Sequence, residues 1–208
     1  AISKEKFIIS PPRFIVDEEK LILRLAELKN MGLSHILCHT LDTAAIGKSL
    51  GFTLHGSFTM NLFNSYSAEH LHRMGFEDCI IPPEMTLNQL ENMRTNLPLG
   101  AIIYGRLPLM LTRNCPIQNE KGCKNCTGCL VDRTARKLPV ACSKEYVEIL
   151  NSDILYMGDR MDKLKNTAFY AVLLHDEDKA ETIAALSRKK PTFNITRGLY
   201  YRGVCENI

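Results

Sequence analysis

The stretch His35-Ile-Leu-Cys-His-Thr40, then Leu41-Asp-Thr-Ala-Ala-Ile-Gly-Lys-Ser-Leu50, then Gly51 and Phe52-Thr-Leu-His-Gly-Ser-Phe58, decides the fold. A short apolar run, ten residues of helical composition closed by glycine, and a second short apolar run read as strand, helix, strand. The same alternation extends on both sides. Upstream, Asp17 is an N-cap for a helix to about Asn30, with Leu21, Leu25 and Leu28 on one face and Met31-Gly32 as its stop. Downstream, Ser67 caps a helix that stops at Gly75, and Cys79-Ile-Ile81 is a third strand. Pro82-Pro83 follows, then a helix from about Thr86 to Arg94, and Leu99 to Tyr104 is a fourth strand. Strands alternating with helices of about ten residues predict an α/β fold with a parallel sheet.

After Cys142 the pattern is looser: a strand at Val147–Leu150, a helix at Met161–Asn166, a strand at Phe169–Leu174 and a helix at Asp178–Lys189. A complete (β/α) barrel takes eight units and ~250 residues. Four clear units and a fifth predict a partial (β/α) TIM-type barrel or an open doubly wound sheet, interrupted by a cysteine-rich module. The expected division is a half barrel over 1–110, a metal module over 111–145, and a closing α/β segment with a basic aromatic tail over 146–208.

Composition narrows the classes. The 208 residues are 45% hydrophobic, which suits a globular chain and argues against disorder. No window reaches the ~18 uninterrupted apolar residues of a membrane span. No charged segment followed by an apolar one opens the chain, so the expected compartment is the cytoplasm. The first residue is Ala1, the mark of a processed or cut end. A net charge of +3 is too small to indicate nucleic acid on its own, but its distribution is uneven. Arg106 to Glu145 carries eight Lys/Arg against three Asp/Glu, a local +5 that leaves −2 for the rest. Ser187 to Val204 holds Arg188, Lys189, Lys190, Arg197 and Arg202 with no acid.

Five of the eight cysteines fall in one run, Cys115-x7-Cys123-x2-Cys126-x2-Cys129-x12-Cys142. Two overlapping C-x2-C steps can turn their sulfurs toward one ion or cluster. No histidine interleaves, so the site is all thiolate, either iron–sulfur or four-cysteine zinc. The surrounding cations would offset the negative charge of four thiolates. A disulfide knot is the competing reading, disfavoured without a secretory signal. Cys38 and Cys79 sit in apolar strand contexts that raise a thiol's pKa, and so make poor nucleophiles.

From Tyr104 onward the chain resembles the collagenase-like peptidases of family U32. The residues carrying this are Gly105-Arg-Leu-Pro-Leu-Met-Leu-Thr-Arg-Asn-Cys-Pro116, Leu130-Val-Asp-Arg133, Pro139-Val-Ala-Cys142, Glu148-Ile-Leu-Asn-Ser152, Gly158-Asp-Arg160 and Thr196-Arg-Gly-Leu-Tyr-Tyr-Arg-Gly-Val204. Upstream, His55-Gly56, Asn61, Asn64 and Pro83-Glu84-Met85-Thr86 are similar to the family's barrel strand ends. The resemblance covers about Leu33 to Val204 and is nearest to the long branch that includes the ribosomal-RNA cytidine hydroxylase. It implies oxygen-independent hydroxylation with a 4Fe-4S cluster and prephenate as hydroxyl source, on RNA bases in the nearest branch, despite the peptidase label. By position Cys115, Cys123 and Cys142 match family ligands, with Cys126 as the fourth. Cys129 is the spare or its substitute, and Cys205 a remote candidate. The family barrel begins before this chain does, so the chain is expected to be an excised piece or natural fragment, or to close its sheet with another chain or by self-association.

The remaining candidates follow from position and type. His55, Asn61, Asn64 and Glu84 lie at or after strand ends, where barrel enzymes keep their chemistry; loop capping and helix-dipole roles are the structural alternatives. Arg106, Arg113 and Arg133 flank the cysteines and could grip a dianion or a phosphate backbone, or simply balance thiolate charge. Arg197 and Arg202 interleave with Phe193, Tyr200 and Tyr201, a composition that suits single-stranded RNA and equally a packed strand. His70 and His72, two apart on a helix, point to different faces. Nothing in the sequence recommends His35 or His39. H-E-x-x-H and G-x-S-x-G are absent, as is G-x-G-x-x-G. Three functions therefore stand: a hydroxylase, a peptidase, and a zinc-stabilised binding module.

Overall fold

The computed structural model describes residues 3–143, 145–175, 179–187 and 194–202. The chain divides into two compact units. The first comprises Ala1–Ala101, Asp162–Ala171 and Leu199–Ile208; the second comprises Ile102–Met161 and Val172–Gly198. Phe193, Cys205, Arg188, Lys189 and Lys190 lie outside the described residues.

In the first unit helix α1 (Glu18–Asn30) begins where the sequence places it, with the Asp17 side chain accepting from the Lys20 amide at 2.9 Å. Strands β1 (Ile8–Ile9), β2 (His35–Cys38), β3 (Thr53–Gly56) and β4 (Phe76–Ile80) and the first residues of β5 (Leu99–Gly105) lie side by side in that order, all parallel. Helices α2 (Leu41–Ser49), α3 (Ser65–Met74) and α4 (Leu87–Glu91) fill the connections. This is the parallel α/β arrangement that the strand–helix alternation predicts. Strand β1 is an addition; two residues are too few to show a period.

One face of this sheet is dry. Ile36, Cys38, Leu54 and Cys79 are all buried, and α2 presses against Ile36 and Leu54 at Gly47. A Cβ on Gly47 would stand 3.0 Å from Ile36 and 3.1 Å from Leu54, so glycine sets how closely the helix approaches. Gly56 does the same between strands: a Cβ there would come within 2.5 Å of the Cys79 sulfur. Side chains alternate along a strand, so His35, Leu37, Thr53 and His55 occupy the opposite face, and all four are only half-buried.

Helix α3 starts earlier than the sequence reading has it. Its N-cap is Asn64, whose side chain accepts from the Ser67 amide at 2.9 Å, while the Ser67 hydroxyl accepts from the Asn64 amide in return. Ser67 is thus the third helical residue of a capping box and not the cap itself.

In the second unit the later residues of β5 pair antiparallel with β10 (Ile154–Tyr156), which runs parallel to β12 (Ile195–Thr196). Tyr104, Ile154 and Tyr156 form a core with Val172 and Ile195 packed on it. A separate antiparallel sheet follows the order β6 (Pro108–Thr112), β9 (Val147–Leu150), β8 (Lys137–Cys142), β7 (Cys129–Val131), and α5 (Pro116–Lys121) lies between β6 and β7 in the chain. The cysteine run is therefore threaded through a β-sheet. Strand β11 (Phe169–Val172) and helix α6 (Lys179–Leu186) complete the elements. The helix expected at Met161–Asn166 is instead a 3-10 stretch, Gly158–Lys163, broken at Arg160.

Candidate functional site

The antiparallel sheet brings the two ends of the cysteine run toward one edge. Strand β9 is central, and Val147 pairs with Thr112 of β6 on one side and with Cys142 of β8 on the other. Cys142 therefore ends at the same edge at which β6 gives way to Cys115. Pro116 opens α5 directly after Cys115, its missing N–H costing nothing at a first helical position. The helix stops after six residues at Gly122 (φ +71°), and a 3-10 turn over Cys123–Asn125 leads to Cys126. Gly128 (φ +68°) turns the chain into β7. Between β7 and β8 an Asp132 carboxylate oxygen accepts from the Thr134 amide and hydroxyl, both at 2.7 Å, and from the Arg136 amide at 2.9 Å. These bonds hold the Asp132 carboxyl below its usual range, the Thr134 side chain first.

Cys142 reports the outcome. Partial desolvation first, then the nearby Cys115, Cys126 and Cys123, push its thiol above the ordinary value, and it shares a side-chain hydrogen bond with Cys115. The Cys126 sulfur accepts from the Gly128 amide at 3.4 Å. Cys129 is not among the groups acting on Cys142; it pairs with Pro139 inside the β7–β8 ladder. The donor set around Cys142 is thus three further thiols, chemistry that suits a soft metal or an iron–sulfur cluster. Among the described residues no three His, Cys, Asp or Glu side chains stand as close together as the ligands of one bound ion do, so this gathering is looser than a ligated centre. Cys123, Cys126 and Cys142 are exposed and Cys115 half-buried.

The arginines divide by what they touch. Arg106 donates from one guanidinium nitrogen to the carbonyls of Asn151 at 3.1 Å and Ser152 at 2.5 Å. Arg197 forks onto both oxygens of Asp159, at 2.5 and 2.8 Å, and also donates to the Tyr156 carbonyl at 2.5 Å. That pairing holds the Asp159 carboxyl below the usual range. Both guanidinium groups are bound within the fold. Arg113, Arg133 and Arg202 are exposed. Tyr200 is 1% exposed, so its ring cannot stack on a base, whereas Tyr201 is 46% exposed.

The strand-end candidates separate similarly. Asn61 adopts the left-handed region (φ 53°) after a 3-10 turn, and Asn64 is the α3 cap. Glu84 is exposed just before the α4 cap, Thr86. His55 is bonded on both sides of its ring: Nδ1 lies 2.9 Å from Asp78 Oδ2 and Nε2 lies 2.9 Å from His35 Nδ1. Sequence reasoning missed His35 and Asp78. The available signal was three adjacent strands, each carrying a polar group out of phase with its buried residues.

A second missed pair is Ser10 and His39, with Ser10 Oγ 2.9 Å from His39 Nε2. The distance suits a serine nucleophile and its base. Burial, and then Arg13, lower His39 to about 4, and its buried Nδ1 has no hydrogen-bond partner among the described residues. So weak a base, with nothing to orient it, is poorly matched to that task.

A mixed α/β chain with a parallel sheet and helices between its strands is the class that the fold defines. The family model described as Peptidase family U32 matches residues 16–176, more than half of the sequence. The chain belongs to the U32 peptidase family. No curated protein and no solved structure matches it. Among the described residues no helix is long and apolar enough to cross a membrane.

Proposed function

We propose that this U32 chain is part of an iron–sulfur-dependent, oxygen-independent hydroxylase that acts on RNA bases with prephenate as hydroxyl source, its parallel sheet being part of a (β/α) barrel. The observation that supports it most is the company of Cys142: Cys115, Cys123 and Cys126 all act on its thiol. These four side chains would hold a 4Fe-4S cluster, which when bound supplies one-electron chemistry or a Lewis-acidic iron. The chain's own part is to present four thiols, from the α5 N-cap, the two ends of the 3-10 turn and the end of β8, with Gly128 N–H donating to one of them. Hydrogen bonds to sulfur are one of the ways a protein tunes such a cluster. Exposed Arg113 and Arg133, with Lys121 and Lys124, give the same segment the positive charge that a phosphate backbone attracts.

The test is anaerobic purification with iron and sulfide assays on the unaltered chain and on Cys115→Ala, Cys142→Ala and Cys129→Ala. Bound iron and sulfide should be lost in the first two and kept in the third. Zinc in place of iron, or loss of metal in Cys129→Ala alone, would overturn the assignment. Mass spectrometry of RNA incubated with reduced protein and prephenate then tests the reaction.

A further inference from the structure

Three ionisable side chains on the half-buried face of the parallel sheet form a continuous chain. Asp78 Oδ2 lies 2.9 Å from His55 Nδ1, and His55 Nε2 lies 2.9 Å from His35 Nδ1. They come from β4, β3 and β2 in turn, so the relay runs across the strands. The two rings stand 5.2 Å apart, tilted by 35°. The side chains of His55 and Asp78 are 12% and 25% exposed, enough shielding to strengthen the bonds without cutting the group off from water.

The direction of each bond follows from elementary chemistry. An ionised carboxylate only accepts, so His55 Nδ1 carries a proton and donates to Asp78. In the neutral ring His55 Nε2 is then a lone pair, and it accepts from His35 Nδ1–H. That leaves the lone pair of His35 on Nε2. No hydrogen bond to this atom is seen among the described residues, and the residue is half-buried, not sealed in the core.

We propose that His35 Nε2 is a proton acceptor for a ligand bound on this face of the sheet, with His55 and Asp78 as its positioning residues. The ligand class is a molecule with a weakly acidic hydroxyl still protonated at neutral pH, such as a phenol or enol. When Nε2 takes the proton, His35 Nδ1–H passes its own to His55 Nε2. The resulting imidazolium at His55 then lies against the Asp78 carboxylate. One proton enters at Nε2, the ligand is left as the anion, and no electrons change hands. The assignment is independent of the iron–sulfur reading, because no cysteine takes part in it.

Two measurements test it on the intact chain. Long-range proton–nitrogen NMR at neutral pH should show both His35 and His55 protonated on Nδ1, the less common tautomer of free histidine. Protonation on Nε2 in either ring would overturn the proposal whatever the variants do. Second, diethyl pyrocarbonate acylates an unprotonated imidazole nitrogen: the N–C bond forms, ethyl carbonate leaves, and the Nδ1 proton is lost. Mapped by mass spectrometry, His35 should react faster than the exposed His70 and His72, although it is half-buried. Asp78→Asn and His55→Gln should each slow His35 by roughly tenfold, the low end of what losing an outer hydrogen-bond partner costs a metal-bound histidine. His70 and His72 in the same molecules should be unchanged, which also reports that the variant is folded. Equal His35 rates in the variants and the unaltered chain would show that the contacts only support the sheet.

Discussion

His39 shows how a single buried ring couples to acidity. It is lowered from 6.5 to about 4, by burial first and by Arg13 second. Between those values the unfolded chain binds a proton that the folded chain does not, so stability is complete above about pH 6.5 and drains away as the pH falls toward 4. The full effect is on the order of 3 kcal/mol. Urea unfolding at a series of pH values should show this loss in the unaltered chain and a flatter profile in His39→Gln. Parallel profiles would mean that other groups carry the acid sensitivity. At this scale the sequence was informative where chemistry clusters and poor where it is dispersed. The cysteine spacing marks out one segment of the chain as a candidate site, but nothing in a linear reading linked His35 to Asp78, forty-three positions apart and joined only through the register of three strands. Asn64 carried both a functional and a capping reading, and the bond to the Ser67 amide shows what its side chain does in the fold.

Among the elements, β5 and its neighbours make the sharpest case. Gly105 ends β5 at φ +119°, and a Cβ there would stand 2.0 Å from the Leu173 carbonyl oxygen. Gly75 ends α3 at φ +97° with open space around it. Gly75→Ala should therefore cost only the backbone strain, about 1 kcal/mol. Gly105→Ala adds a collision with backbone and should cost roughly 3 kcal/mol or more. Thermal or chemical denaturation of the two variants separates the terms, and equal losses would show that β11 yields. The parallel units were legible because β2 to β5 are apolar runs separated by short helices, the first of which opens at the Asp17 cap read from the sequence. Strands β6, β7 and β8 were not. Pro108, Pro139 and the cysteines interrupt any alternation, and their partners are fixed by the turn at Asp132 and by β9, a strand the sequence shows without showing what it pairs with.

For the whole molecule, each unit carries its own core, Ile36, Leu54 and their neighbours in one and Tyr104, Ile154 and Tyr156 in the other. If a metal is held by the second unit, its binding energy is folding energy for the strands that supply the thiols. Hydrogen exchange on anaerobically prepared protein should show β6 to β9 losing protection in Cys142→Ala, by about a hundredfold or more. Strands β2 to β4 should be unaffected. Uniform loss through both units would show that the cysteine sheet has no separate stability.

The Arg197–Asp159 fork has a last consequence. Strand β12 is two residues long and offers its parallel neighbour only the pairs Ile154–Ile195 and Leu155–Thr196. So short a ladder tells correct alignment from a one-step slip poorly, since a shifted strand keeps nearly as many backbone bonds. Arg197 follows that strand at once, and Asp159 stands three positions beyond the end of β10. A slip of one residue moves the guanidinium about 3.3 Å along the chain and breaks a two-pronged contact that tolerates far less. The charge pair thus works as an index pin, giving a fragment of β-structure the alignment that its own length cannot specify.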